Sequence, residues 1–296
     1  MTKTGFCEFN GGRIYYEVDG EGPALVLIHA GVANLRQWDE QVPVLAADHR
    51  AIRYDTRNFG HTTSADVSFS NRADLGALFD HLDVDRAAVL GVSRGGSIAV
   101  DFTLEHPERV TALIAVAAGV GGFDSPATPD EQALWEEYER RYEARDWDWI
   151  IETETAFWVD GPRQPADRVP AAVRQRVHDW IAEGYRDHSD ENLTALPLEP
   201  AAATRLGEIG VPTLVMVGDL DVGGTVAACR KLATEIPGAR LEVFEGVAHM
   251  VNLEQPERFT RLVRDFLADV AAEAIPPTPA VAAGRVAAAQ GRVASH

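Results

Sequence analysis

Cysteine and lysine are scarce in this chain of 296 residues, which has two cysteines (Cys7 and Cys229) and two lysines (Lys3 and Lys231). Two cysteines cannot form the dense disulfide framework that stabilises small secreted domains. Cys7 falls in a predicted first strand and Cys229 in a late predicted helix, so we expect two separate buried thiols. Neither CxxC spacing nor a cluster of His and Cys indicates zinc. The sequence therefore predicts no metal site.

Positive charge is also in short supply, because 27 Lys and Arg face 46 Asp and Glu, a formal net charge of −19 at pH 7. A field of this sign repels nucleic-acid phosphates and anionic lipid, so we expect neither as a partner. The longest apolar run, residues 112–120, is too short to span a bilayer. The first twelve residues lack the apolar stretch of a signal peptide. We expect a cytoplasmic protein, either a monomer or a homodimer.

Strand-like and helix-like patterns alternate over residues 1–120 and again over 201–274. Continuous apolar runs such as Ala24–Ile28 and Ala87–Val92 are typical of strands that are buried on both faces. A helix is expected over residues 35–47, after the first of these strands. The alternation predicts the α/β class, with a doubly wound and mostly parallel sheet of about eight strands.

Residues 121–200 differ in composition, since they hold five of the six tryptophans and 19 Asp and Glu against 8 Arg. Helices are expected over 130–145 and 170–185. An insertion between two strand–helix units lies at one end of the strands, so this segment is predicted to form a helical cap or lid. Residues 275–296 are rich in Ala, Pro and Gly, which predicts a disordered tail, with a docked tail helix as the alternative. The predicted domains are a core of 1–120 and 201–274, a cap of 121–200 and a tail of 275–296.

Residues 91–95 (GVSRG) place a G-x-S-x-G motif between a predicted buried strand and a predicted helix. A sharp strand-to-helix turn at this point lifts the Ser93 hydroxyl off the sheet edge, and its neighbours must be small to avoid clashes. The N-terminus of the following helix adds N–H groups and partial positive charge beside the hydroxyl. We therefore predict that Ser93 is a catalytic nucleophile.

A serine nucleophile needs a base that is oriented by a third group. His249 lies in a loop between a predicted strand and the last predicted helix, and it is the expected base. Asp221 lies a few residues beyond the preceding strand, from where its carboxylate can reach back to a histidine. The competing Asp219 is closer to the strand and is expected to cap the turn. The chain order Ser, Asp, His is the order of hydrolases with this turn.

Hydrolysis also requires donors for the developing oxyanion. We expect the N–H of Arg94, directly after the nucleophile, and the N–H of Gly31, with Ala30 as the alternative to Gly31. The Arg94 side chain either pairs with a substrate carboxylate or forms an ion pair with an acid of the core or cap. Cap aromatics either line an apolar pocket or bury the core of the cap itself. The expected substrate contacts are Ala30, Val32, Arg94, Trp147, Trp158 and Met250.

On these motifs the chain resembles the α/β-hydrolase-fold serine hydrolases with a helical cap, over roughly residues 5–271. Residues 29–31 (HAG) are similar to the family's His-Gly-x loop, with Ala30 in place of the usual glycine. Residues 54–62 (YDTRNFGHT) resemble its Asp-x-Arg-Gly-x-Gly-x-Ser turn, with Asn58 in place of one glycine. Within the fold, the chain is most similar to the 3-oxoadipate enol-lactonase and carboxylesterase-like group. The resemblance implies the α/β-hydrolase fold.

Taken together, these features predict a serine hydrolase that cleaves a carboxylic ester or lactone of a small molecule through an acyl-enzyme, without a cofactor. The same triad is compatible with C–C bond hydrolysis, perhydrolysis or aminopeptidase-type cleavage, which are the enzymatic alternatives. A ligand-binding receptor on the hydrolase fold is the alternative from a different class.

Overall fold

The computed structural model describes residues 2–125, 128–188 and 193–273. Within them, nine strands form one sheet: β1 (Lys3–Phe9), β2 (Gly12–Asp19), β3 (Ala24–Ile28), β4 (Arg50–Tyr54), β5 (Thr63–Ser64), β6 (Ala87–Val92), β7 (Val110–Val116), β8 (Thr213–Gly218) and β9 (Arg240–Phe244). Their order is β1-β2-β4-β3-β6-β7-β8-β9, and β5 pairs with β2. The strands from β4 to β9 along this order are parallel, whereas β1 and β2 are antiparallel to their neighbours.

The same described ranges contain nine α-helices, which are α1 (Val42–Leu45), α2 (Asn71–His81), α3 (Arg94–Glu105), α4 (Pro129–Glu143), α5 (Trp147–Thr155), α6 (Ala171–His188), α7 (Gly223–Glu235), α8 (Val251–Glu254) and α9 (Pro256–Glu273). The single helix predicted over 35–47 is instead a 3₁₀ turn (Leu35–Trp38) followed by the short α1. Pro43 explains the break, because it has no N–H and cannot lie inside a helix that begins a turn earlier. A π-helical turn, Ala156–Asp160, extends α5 and was not predicted.

Alternate side chains of the parallel strands pack into two apolar cores, one on each face of the sheet. In β3, Val26 and Ile28 share a core with α2, α3 and α7. Leu25 and Leu27 share the other with α1 and α9. All four are fully buried, and each such burial stabilises the fold by about 1.5–3 kcal/mol. Burial on both faces is why these strands are apolar throughout.

The helices α4, α5 and α6 lie between β7 and β8 in the chain, where the cap was predicted. The chain returns to the core before the predicted boundary at residue 200. Phe69 and Ala195 form an isolated β-bridge, and Leu198 is buried in the core that contains α2 and α3. Burial of Leu198 draws this end of the insertion onto the core. The tail predicted over 275–296 lies outside the described residues.

Cys7 and Cys229 are both buried and unpaired, as two separate thiols. Burial raises the pKa of each thiol, to about 12 for Cys229. No described helix is both long enough and apolar enough to cross a membrane. The part of the chain that the structure describes also holds no group of three His, Cys, Asp or Glu arranged to bind a metal ion.

Candidate active site

Ser93 occupies the tight turn between β6 and α3, with φ +56° and ψ −121°. A positive φ is rare for a residue other than glycine, and such strain costs about 1–3 kcal/mol. The surroundings leave no room for larger neighbours. A Cβ on Gly91 would lie 2.0 Å from the carbonyl oxygen of Gly95, and one on Gly95 would lie 2.4 Å from that of Ile28. The Ser93 N–H donates to the Val116 carbonyl (2.7 Å), which fixes the turn to β7.

His249 and Asp221 are paired through their side chains. Nδ1 of His249 lies 2.8 Å from Oδ2 and 3.0 Å from Oδ1 of Asp221, and both residues are buried. Oδ1 also accepts the Val222 N–H (2.7 Å), which holds the carboxylate in place. With Nδ1–H donating to the carboxylate, Nε2 becomes the acceptor nitrogen of the ring. Asp219, the competing carboxylate, instead accepts the Gly246 N–H (2.7 Å) and so connects the β8 loop to the His249 loop.

Ser93 and His249 line one cavity of about 390 Å³, which lies under the helices α4 to α6. Within the described residues, no hydrogen bond joins the Ser93 hydroxyl to the His249 ring. Such bonds are often long until a substrate is bound. A larger groove of about 1020 Å³ lies between α1 and α9 and contains neither residue. The cavity is lined by Gly31, Val32, Ala33, Asn58, Phe59, Ser93, Tyr142, Glu154, Trp158, Trp180, Ile181, Gly184, Tyr185 and His249.

Gly31, in the loop after β3, lines this cavity, and its backbone N–H is one of the predicted oxyanion donors. Among the described residues, that N–H has no acceptor, whereas the N–H of Ala30 donates to Oε1 of Gln37 (2.8 Å). The N–H of Arg94 is the first of α3 and has no acceptor within the helix. The geometry therefore favours Gly31 over Ala30 as the second oxyanion donor beside Arg94.

His29 holds this loop in place as a neutral ring. Its Nδ1–H donates to the Ala30 carbonyl (2.7 Å), and its Nε2 accepts the Thr56 N–H (3.1 Å). Burial lowers the pKa of His29 to about 3. The ring is therefore uncharged at neutral pH and can accept from Thr56.

The Arg94 side chain fits neither interpretation of the sequence. Nη1 donates to Oγ1 of Thr56 (2.7 Å) and Nη2 to Oδ1 of Asn71 (3.3 Å). Its guanidinium lies 4.8 Å from the ring centre of Phe59, and Arg94 is not part of the cavity lining. Across the described ranges, no carboxylate forms an ion pair with it. Burial lowers the pKa of Arg94 to about 10, so it stays protonated at neutral pH.

Two of the other predicted substrate contacts, Val32 and Trp158, line the cavity. The ring centre of Trp158 lies 4.6 Å from that of His249. Trp158 belongs to the π-helical turn Ala156–Asp160. Such turns occur frequently at functional sites.

Three predicted contacts lie outside the lining. Trp147 stacks on Tyr185, with ring centres 5.1 Å apart, and Tyr185 lines the cavity instead of Trp147. Met250 directly precedes the short α8 and is fully buried in the core that contains α9. Ala30 is fully buried, and its N–H donates to Oε1 of the buried Gln37.

Several lining residues were missed, although the sequence carries a signal for them. Trp180, Ile181, Gly184 and Tyr185 come from one face of α6, as their helical spacing indicates. Glu154 lies three residues after Ile151 and four before Trp158, and is a single acid on an otherwise apolar helix face.

Glu154 is bound to two tyrosines of the cap. Its Oε1 accepts hydrogen bonds from the hydroxyls of Tyr185 (2.7 Å) and Tyr138, and these hydroxyls lie 2.7 Å apart. Burial raises the pKa of Glu154. Burial and the nearby Glu154 charge raise the pKa of both tyrosines, so both remain hydroxyl donors at neutral pH.

Arg168 connects the cap to the loop of the candidate base. Nη1 donates to the Gly246 carbonyl (2.9 Å) and to Oε2 of Glu254 (2.5 Å). Nε donates to the Asp160 carbonyl (2.6 Å) at the end of the π-helical turn. The Ala248 N–H donates to the other carboxylate oxygen of Glu254 (3.0 Å). One guanidinium thus joins the turn of Trp158 to the loop of His249.

Comparisons with known proteins extend these observations. Residues 23–256 match a family described as alpha/beta hydrolase fold. A 2-hydroxy-6-oxononadienedioate/2-hydroxy-6-oxononatrienedioate hydrolase of Pseudomonas putida is 31% identical over 272 residues, 86% of this chain and 92% of that protein. The enol-lactonase of Burkholderia xenovorans LB400 superposes with a TM-score of 0.70 and 26% identity over 88% of this chain and 98% of that one. An N-acyl homoserine lactone degrading enzyme superposes with a TM-score of 0.70 and 27% identity, over 88% of this chain and 99% of that one. These matches confirm the predicted fold class.

Proposed function

The chain belongs to the α/β-hydrolase family, and on that premise we propose that it is a serine hydrolase that cleaves a carboxylic ester or lactone of a small molecule. One observation carries the proposal. Ser93, in its strained turn, lines the same cavity as His249, whose Nδ1 is held by Asp221. A nucleophile, a base and an orienting acid are the three groups that acyl transfer requires.

In this mechanism, Nε2 of His249 takes the hydroxyl proton of Ser93 as Oγ attacks the carbonyl carbon. The N–H groups of Gly31 and Arg94 bind the resulting oxyanion. When the tetrahedral intermediate collapses, the bond to the leaving oxygen breaks, and Nε2 gives its proton to that oxygen. Water then attacks the acyl-enzyme by the same steps and releases the acid, with Asp221 orienting the imidazole throughout.

The choice of an ester or lactone rests on the cavity and on the relatives. A volume of about 390 Å³ suits a small molecule. Two relatives of known structure are an enol-lactonase and an enzyme that degrades N-acyl homoserine lactones. The Pseudomonas putida relative is named as a hydrolase of dicarboxylates. The lining that the structure describes contains no Lys or Arg to bind two carboxylates, which favours ester or lactone cleavage. No step needs a cofactor.

A fluorophosphonate probe tests the nucleophile, because it reacts with activated serine hydroxyls. We expect labelling of the wild type and none of the Ser93→Ala variant, with loss of 4-nitrophenyl acetate hydrolysis. Ser97→Ala is a matched control, because Ser97 lies one turn further along α3 and its hydroxyl donates to the Gly119 carbonyl. Equal labelling of wild type and Ser93→Ala would refute the assignment.

A further inference from the structure

We propose that Glu154, with Tyr138 and Tyr185, forms a subsite of the cap that binds a cationic ammonium group of the substrate. The preferred substrates are then small esters that carry an ammonium group away from the scissile bond. This inference rests on the proposed function, because Ser93 and His249 define where that bond lies in the cavity.

The Glu154 carboxylate is the charged group of this subsite. Oε1 accepts both tyrosine hydroxyls, while Oε2 has no hydrogen-bond donor among the described residues. Glu154 also forms no ion pair within those residues, although it lines the cavity together with Ser93 and His249. Glu154 is half-buried, and a carboxylate in such a place without a cation is less stable than one that is paired, so a bound cation would stabilise it.

Aromatic side chains share the cavity with this carboxylate. Tyr142, Trp158, Trp180 and Tyr185 line the same cavity. Faces of Trp and Tyr attract cations through their ring quadrupoles, and cages of such rings bind quaternary ammonium groups. A carboxylate and several aromatic rings in one cavity are therefore complementary to an ammonium group.

The charge balance of the cavity also favours a cation. No Lys or Arg is present in its described lining. The nearby cation, Arg94, is covered by the ring of Phe59 and is engaged by Thr56 and Asn71. A substrate with a carboxylate near the cap would meet Glu154 and no opposing cation. The cavity thus disfavours an anion at the end where it favours a cation.

Two substrates of the same shape test the proposal. Acetylcholine carries a permanent positive charge, and 3,3-dimethylbutyl acetate is its uncharged isostere. We expect the wild type to have a kcat/KM for acetylcholine that is roughly tenfold higher or more, as one ion pair and cation–π contacts at a partly buried site provide. Glu154→Gln keeps the shape of the side chain and removes its charge, so the ratio should fall to about one.

Glu152→Gln is the matched control, because Glu152 lies on the same helix but is exposed and paired with Arg174 (2.6 Å). It should leave the ratio unchanged. The proposal is overturned if the wild type does not prefer the charged ester, if Glu154→Gln keeps the preference, or if Glu152→Gln removes it equally. A thermal melt of each variant checks folding. Should Glu154→Gln not fold, competitive inhibition of the wild type by tetramethylammonium and not by tert-butanol supports the subsite, and equal inhibition overturns it.

Ser93→Ala separates this inference from the function on which it rests. If that variant still hydrolyses esters, the proposed function fails. If it is inactive and the wild type prefers neither ester, only the subsite fails. If the wild type hydrolyses no ester, binding of tetramethylammonium to the wild-type protein and to Glu154→Gln is compared by calorimetry. Weaker binding to the variant then supports the subsite, and equal or absent binding overturns it.

Discussion

Acid should destabilise the fold through His29, which holds the loop that carries Gly31. Burial lowers the pKa of this ring to about 3 from its ordinary value of 6.5. The unfolded chain therefore binds a proton below pH 6.5, while the folded chain does not until about pH 3. The contribution of neutral His29 to stability is fully present above pH 6.5 and is lost progressively as the pH falls toward 3.

The size of this effect follows from the shift. One pH unit corresponds to about 1.4 kcal/mol per proton, so His29 should remove about 2 kcal/mol between pH 7 and pH 5. Asp55 and Asp101 oppose it, because burial raises the pKa of each carboxyl to about 6. Protonation of each carboxyl stabilises the folded state as the pH falls from 7 to 5. The wild-type pH profile alone therefore mixes effects of opposite sign.

Comparison with His29→Asn isolates the histidine. At pH 7 we expect the variant to be less stable by about 1–3 kcal/mol, because the Thr56 N–H loses its acceptor. At pH 5 the difference should shrink by about 2 kcal/mol, since the variant has no imidazole to protonate. Urea unfolding followed by tryptophan fluorescence at both pH values measures it. An unchanged difference would refute the reasoning, and His81→Asn, at an exposed histidine, is the control.

Three further predictions concern buried contacts. Arg57→Met leaves Asp74 without the guanidinium 2.7 Å away, so urea unfolding should show a loss of about 3–5 kcal/mol. Gly95→Ala places a methyl group 2.4 Å from the Ile28 carbonyl oxygen, so the turn of Ser93 must shift, and fluorophosphonate labelling should slow at least about tenfold. Arg168→Met removes the link to the His249 loop, so kcat for 4-nitrophenyl acetate should fall by about tenfold or more while KM changes little; an unchanged kcat would contradict this role.

The sequence predicted the positions of the candidate catalytic residues in the core, but not the contacts made by the cap. Ser93, Asp221 and His249 come together because each follows a strand of a parallel sheet, and the carboxyl ends of such strands meet at one edge. Hydrophobic periodicity alone predicts where these strands end, and the rule then places the three residues together. Asp55 and Arg57 were also identified by a sequence motif, but the motif did not predict the contacts that they make. Asp55 accepts the N–H groups of Leu35 and His61, and Arg57 binds the buried Asp74.

The cap follows no comparable rule, because the direction of its helices is set by packing against the core. Trp147 and Trp158 lie on the same helix face in the sequence, yet only Trp158 reaches the cavity. Trp147 is instead stacked against Tyr185 of α6. Arg94 shows the same limit, since its partners Thr56 and Asn71 lie far from it in the chain.

The cap also connects the proposed cation subsite to the loop of His249. Glu154 is on α5, which continues through the π-helical turn to Trp158 and Asp160, and Arg168 then bonds the end of this turn to the Gly246 carbonyl. The proposed cation subsite and the loop of His249 are therefore held by one stretch of about fifteen residues. A change in this stretch should alter the distance between a bound ammonium group and the His249 imidazole. The kcat for charged esters should therefore fall more than the kcat for neutral ones. Arg168→Met should accordingly reduce kcat for acetylcholine more than for 3,3-dimethylbutyl acetate, and an equal reduction would show that the two sites are positioned independently.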